Sequence, residues 1–151
     1  MPQTIIAIDP KTRRRALLIE IHPEMNRPSV EDINSFHRRM FDRNIYTGMI
    51  VTPEVVMVHV DQFNQVGFDD TNYATRELNT PILFTGANIG RPRRGDAFCE
   101  QVRRWLKAIE SSWFSLLQPD AIEAMVPEVV GSLYEAELAT WDNVLDASDA
   151  A

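Results

Sequence analysis

The chain has 151 residues, 44% of them hydrophobic and 25% charged, a balance that excludes wholesale disorder and fits a single domain spanning 1–151. Its net charge of −7 disfavours whole-protein attraction to nucleic acid, and its lone cysteine, Cys99, excludes an intrachain disulfide. No stretch approaches the roughly 18 apolar residues of a membrane span, and residues 1–8 read as a strand rather than a leader. A soluble, cytoplasmic protein without a membrane partner is expected.

The charge is unevenly spread. Residues 1–107 hold all fifteen Lys and Arg against thirteen acidic residues, whereas 108–151 hold nine acidic residues and no Lys or Arg. The acidic carboxyl-terminal segment serves solubility or shields a basic surface on the body.

In chain order, residues 4–8 (TIIAI) are β-branched and apolar, 9–14 (DPKTRR) have turn chemistry, and 16–22 form a second strand, giving a hairpin. Period 2 sets Leu17, Ile19 and Ile21 on one face and Ala16, Leu18, Glu20 and His22 on the other. Pro23 and Pro28 bracket a loop into a helix that Ser29 caps, with Asp32 completing a short capping box. Val30, Ile33, Phe36, Met40 and Phe41 give that helix an apolar stripe, and His37 falls on the same side. Strands follow at 49–51 and 55–60; in the second, Val56, Val58 and Val60 face one way and Val55, Met57 and His59 the other.

Residues 61–80 read as a loop with a helical turn, 82–85 as a short strand and 86–95 as a glycine- and arginine-rich loop. Asp96 is the expected cap of a strong amphipathic helix through Leu117, its buried side marked by Phe98, Val102, Trp105, Leu106, Ile109 and Trp113. A short helix through Met125 should follow Pro119, and 129–145 read equally as helix or late strand before a frayed end. Together these elements predict an α/β fold, a mixed central sheet flanked by helices.

The hairpin, the helix, the second strand pair and the strand end Glu20-Ile21-His22 resemble the restriction-endonuclease-like PD-(D/E)XK superfamily over roughly residues 2–60. The resemblance implies a restriction-endonuclease-like fold in which one strand supplies an acid and the next ends in Glu-x-Lys, holding a divalent metal that activates water. Glu20 then falls at the metal and His22 at the Lys position. Either Asp9 or the amide of Gln3 stands at the first acidic position. The implied activity is at most that of a metal-dependent phosphodiesterase or nuclease, with Mg²⁺ or Mn²⁺ as cofactor.

The residues themselves leave other readings open. Mg²⁺ prefers several oxygen ligands, and Glu20 alone supplies one carboxylate. With a reference pKa near 6.5, His22 can handle protons in place of Lys. Glu20 and His22 can instead join His59 around a softer ion such as Zn²⁺ or Mn²⁺, or form a hydrogen-bonded polar pair that binds no metal.

The 85–95 loop, TGANIGRPRRG, leads into a helix, where backbone N–H groups and arginines suit phosphate, although it matches neither the Walker pattern nor the dinucleotide fingerprint. The bland reading is a solvated basic loop. Arg13, Arg14 and Arg15 would join Arg91, Arg93 and Arg94 in one patch if hairpin and loop were neighbours. Cys99 lies on the buried side of its helix and reads as an inert core thiol, and Trp105 and Trp113 as core. His37 and His59 read as packing or surface residues.

Two functional classes therefore stand side by side: a nuclease-like protein with a degenerate, inactive metal site, and a non-catalytic protein-interaction or homodimeric structural domain.

Overall fold

The expected hairpin forms from β1 (Gln3–Ile8) and β2 (Arg15–Ile21), antiparallel and in register from Gln3 opposite Ile21 to Ala7 opposite Leu17. The computed structural model describes residues 2–61, 67–134 and 136–140. Asp9 makes the turn: its Oδ1 accepts from the Lys11 N–H at 2.9 Å, its backbone bonds to Arg13 and Arg14, and Arg13 takes a left-handed φ of 60°. Such local carboxylate-to-backbone bonds are the usual chemistry of Asp in turns.

From β2 the chain crosses by α1 (Val30–Asp42) to β3 (Thr47–Val51), which pairs parallel to β2. A parallel neighbour needs a crossover connection, and α1 supplies it. The capping box is present: Ser29 Oγ accepts from the Asp32 N–H at 3.1 Å, and the Asp32 carboxylate accepts from the Ser29 N–H at 3.0 Å. β4 (Val55–Asp61) then turns back antiparallel on β3.

Here the structure departs from expectation. A single 3-10 turn (Asp70–Asn72) leads into β5 (Tyr73–Asn79), an edge strand that pairs with β4 across all seven residues. The residues expected as a strand at 82–85 belong instead to α2 (Thr80–Gly86), because Asn79 caps the Ile82 N–H and Pro81 stands in the first turn, where it needs no donor.

The long helix α3 (Asp96–Leu116) is capped by Gly95 in a left-handed conformation, so Asp96 is its first residue rather than its cap, and non-helical angles at Ser112 kink its last turn. α4 (Pro119–Met125), a π-helical turn (Val126–Val130) and the short α5 (Gly131–Leu133) follow. β6 (Glu137–Thr140) closes the sheet against β1, so the ambiguous segment contains helix first and strand after; residues 141–145 lie outside the described residues.

The result is a six-stranded mixed sheet, ordered β5-β4-β3-β2-β1-β6, with helices on both faces. One face carries Ile5, Leu17, Ile19, Met49, Val56 and Val58 against α2, α3, α4 and the π-turn, with Trp105 fully buried among them. The other carries Ile6, Leu18, Ile50 and Met57 beneath Phe36 and Met40 of α1. Helix and sheet approach closely at Gly48, where a Cβ would lie 2.7 Å from the Phe36 ring and 2.8 Å from the Met40 sulfur. No described helix is long and apolar enough to cross a membrane.

Candidate functional site

The strand alternation places Glu20 and His22 on the α1 side of β2, as the period-2 pattern requires. The backbone N–H of His22 donates to Val51 at 2.9 Å, extending the β2–β3 pairing to the very end of the strand. His22 Nε2 lies 2.7 Å from Glu20 Oε1, and Arg39, reaching down from α1, donates to Glu20 Oε2. Both carboxylate oxygens are thus taken. Glu20 is 3% exposed and His22 6%, whereas Arg39 keeps a third of its side chain at the surface.

The electrostatics follow from these contacts. Burial alone pushes the Glu20 carboxyl up, because a buried charge loses its hydration. The hydrogen bond from His22 and the Arg39 charge outweigh that, and the group sits below its ordinary value. Glu20 is therefore ionised, and the His22 ring N–H is the donor between them. Arg39 Nε is buried without a partner among the described residues, so the cluster retains some desolvation cost.

The other residues expected at a metal do not reach this cluster. Glu20 pairs with Thr4, and Asp9 lies five positions farther along β1 in the hairpin turn, about 17 Å away at strand rise. Gln3 is closer along the strand but on the wrong face: Ile5 and Ala7 share its parity and pack under α3, and its Oε1 accepts from Arg103 of α3 at 3.2 Å. His59 pairs with Gly48, two strands and two residues from Glu20, about 10 Å across and 7 Å along the sheet. Among the described residues no group of three or more His, Cys, Asp or Glu side chains converges in a way that could hold a metal ion.

A second polar cluster, absent from the sequence-based expectations, lies under the same helix. His59 of β4 is fully buried, and its Nδ1 stands 2.9 Å from His37 Nε2 of α1 and 3.0 Å from Thr75 Oγ1 of β5. The His37 ring stacks on Tyr73 at 4.0 Å, and the Tyr73 hydroxyl donates to the His37 carbonyl at 3.1 Å. Burial, with a smaller contribution from the His37 charge, lowers the His59 pKa to about 3, so the ring is neutral at pH 7. Its Nε2 has no partner among the described residues. The sequence carried part of the signal: His37 sits on the apolar stripe of α1, and His59 shares a face of its strand with Val55 and Met57, which the structure shows to be the face under α1.

The arginines form no single patch. Arg13 pairs with Glu137 at 2.7 Å beside the hairpin turn. The basic loop lies at the opposite end of β2, where the Gly95 N–H donates to the Pro23 carbonyl. Cys99 is buried, and burial pushes its thiol above the usual range, which suits an inert core residue.

Compared with known proteins, the chain matches no family model, no curated protein and no solved structure.

Proposed function

We propose that this chain is a non-catalytic domain on a restriction-endonuclease-like scaffold, in which an internal ion-pair cluster occupies the position of the nuclease metal. The scaffold reading draws support from the order of elements: an antiparallel hairpin, a crossover helix, a strand parallel to the second hairpin strand, and its antiparallel neighbour. One observation carries the inactive reading. The carboxylate that would ligate the metal is 3% exposed, with Arg39 on one oxygen and His22 on the other. A hard cation would have to displace a guanidinium held at contact and recruit further oxygen ligands, and neither Asp9 nor Gln3 reaches it.

Calorimetric titration with Mg²⁺ and Mn²⁺, alongside incubation of supercoiled plasmid with each metal, tests the proposal. We expect no saturable heat and no nicking. Saturable heat that disappears in Glu20→Gln, together with nicking that also disappears, would restore the nuclease.

A further inference from the structure

A buried amide ties the loop between α2 and α3 to the face of α3. Gln101 projects from the apolar side of α3, beside Val102 and Trp105, and is 6% exposed. Its Oε1 accepts from the Arg93 N–H at 2.8 Å, and its Nε2 donates to the Arg91 carbonyl at 2.7 Å. A buried primary amide costs free energy unless both ends are bonded, and here both are bonded to the loop backbone. Arg94 ties the loop down again, donating to the Glu24 carbonyl at 2.9 Å and to Asn26 Oδ1 at 2.6 Å. A merely solvated basic loop needs none of these anchors.

The anchored loop walls a cavity of about 300 Å³ against α3, lined by Arg91, Arg93 and Arg104 together with Gln101, and with Glu100 as its one acid. Arg91 also lines a second, more open cavity of about 420 Å³, shared with Arg94 and Asn26 and bordered by Glu54. None of Arg91, Arg93 and Arg104 forms an ion pair among the described residues. Three arginines line one concavity; Gln101 fixes the backbone of two of them from behind, and the third, Arg104, donates to the Ile89 carbonyl of the same loop at 3.4 Å. A guanidinium binds phosphate oxygens through paired N–H donors. Both cavities lie at the end of the sheet where β2 and β3 finish, the end of parallel strands where ligands of α/β folds collect.

We propose that this cavity binds a small phosphorylated ligand, with Arg91, Arg93 and Arg104 on the phosphate and Gln101 as the residue that positions the loop. A compact ligand is favoured over a polymer by charge. The protein carries −7 overall, so a long polyanion meets repulsion beyond the patch. A small anion inside the concavity feels mainly charges within a Debye length of about 8 Å. The inference does not depend on the reading of Glu20, which faces the opposite side of the sheet.

Calorimetric titration of the full chain with inorganic phosphate and with pyrophosphate tests it. Arg91→Ala/Arg93→Ala is compared with Arg13→Ala/Arg14→Ala, which removes the same charge at the far end of β2, and all four arginines are exposed. We expect saturable pyrophosphate binding that weakens about ten-fold or more in the loop variant and changes less than about two-fold in the hairpin variant. Gln101→Leu, which unties the Arg91–Arg93 backbone from α3 at some cost in thermal midpoint, is expected to weaken binding while all three arginines remain, and unchanged binding in it would remove Gln101 as the positioning residue. Absence of saturable binding by either probe, or equal weakening in the two double variants, would overturn the proposal. So would tighter binding of a short single-stranded oligonucleotide than of pyrophosphate, because a polymer would then be the ligand.

Discussion

Two polar clusters lie under the same helix, and they solve the problem of burial in opposite ways. At the end of β2, Glu20 is kept charged by an arginine and a histidine that touch it. Under the middle of α1, His59 is kept neutral, bonded to His37 and Thr75 through one nitrogen while the other has no described partner. A buried charge survives only when its counter-charge is in contact, whereas a buried base can shed its proton and so bury no charge. The first cluster is therefore a set of mutual dependencies, and the second is a single group that resists protonation.

The largest test of this difference removes Glu20. Glu20→Ala leaves His22 buried and Arg39 without its counter-charge. Breaking a fully buried pair costs about 3–5 kcal/mol, and Arg39, partly exposed, can turn to water, so a loss of about 2–3 kcal/mol is expected in denaturant unfolding at pH 7. A loss below about 1 kcal/mol would mean that the cluster is an ordinary surface pair. Next comes Gly48→Ala, beside the second cluster, where Gly48 faces His59 across the strands. The added methyl must push the Phe36 ring and the Met40 sulfur aside in a packed core, for an expected loss of about 1–3 kcal/mol by thermal unfolding.

Acid separates the two clusters by sign and window. His59 has a folded pKa of about 3 against an ordinary 6.5. The unfolded chain therefore binds a proton first as pH falls, and stability is lost between pH 6.5 and about 3, by at most about 1.4 kcal/mol per pH unit. Glu20 also has a lowered folded pKa, so its contribution is present above its ordinary value near 4.5 and is lost only below it. Urea unfolding from pH 7 to 4 should accordingly show a slope between 6.5 and 4.5 that His59→Phe flattens and Glu20→Gln leaves in place. An unchanged slope in His59→Phe would assign the acid sensitivity elsewhere.

The legible part of this molecule was the part governed by local periodicity. Alternation in β2 and β4 fixed which residues share a face, Glu20 with His22 and His59 with Met57, and Ser29 with Asp32 marked the start of α1; which face lies under α1 came only from the packing. What failed was governed by context. β5 (YATRELN) is an edge strand whose middle faces solvent, so it lacks the apolar alternation of a covered strand. The apolar run at 82–85 suggested a strand, although Asn79 and Pro81 were the stronger signals of a helix start. At the candidate site, Arg39 could not be assigned to Glu20 because the contact depends on how α1 crosses the sheet. Gln3 stood at the first acidic position implied by the resemblance, and the β1–β2 register and its bond to Arg103 show that it faces α3 instead.

The smallest effect comes from the element that carries both clusters. α1 contributes His37 to one and Arg39 to the other, and its first turn is closed by the Ser29–Asp32 box. Ser29→Ala removes the hydroxyl that accepts from the Asp32 N–H and leaves the Asp32 carboxylate bonded to the residue-29 backbone, so about 1 kcal/mol should be lost. His37 and Arg39 lie two turns or more beyond the cap, on a helix pinned to the sheet by Phe36 and Met40. The midpoint should therefore fall while the slope between pH 6.5 and 4.5 stays that of the parent chain. If the slope falls with the midpoint, the cap is needed to hold His37 against His59, and the clusters depend on the helix start as well as on their own contacts.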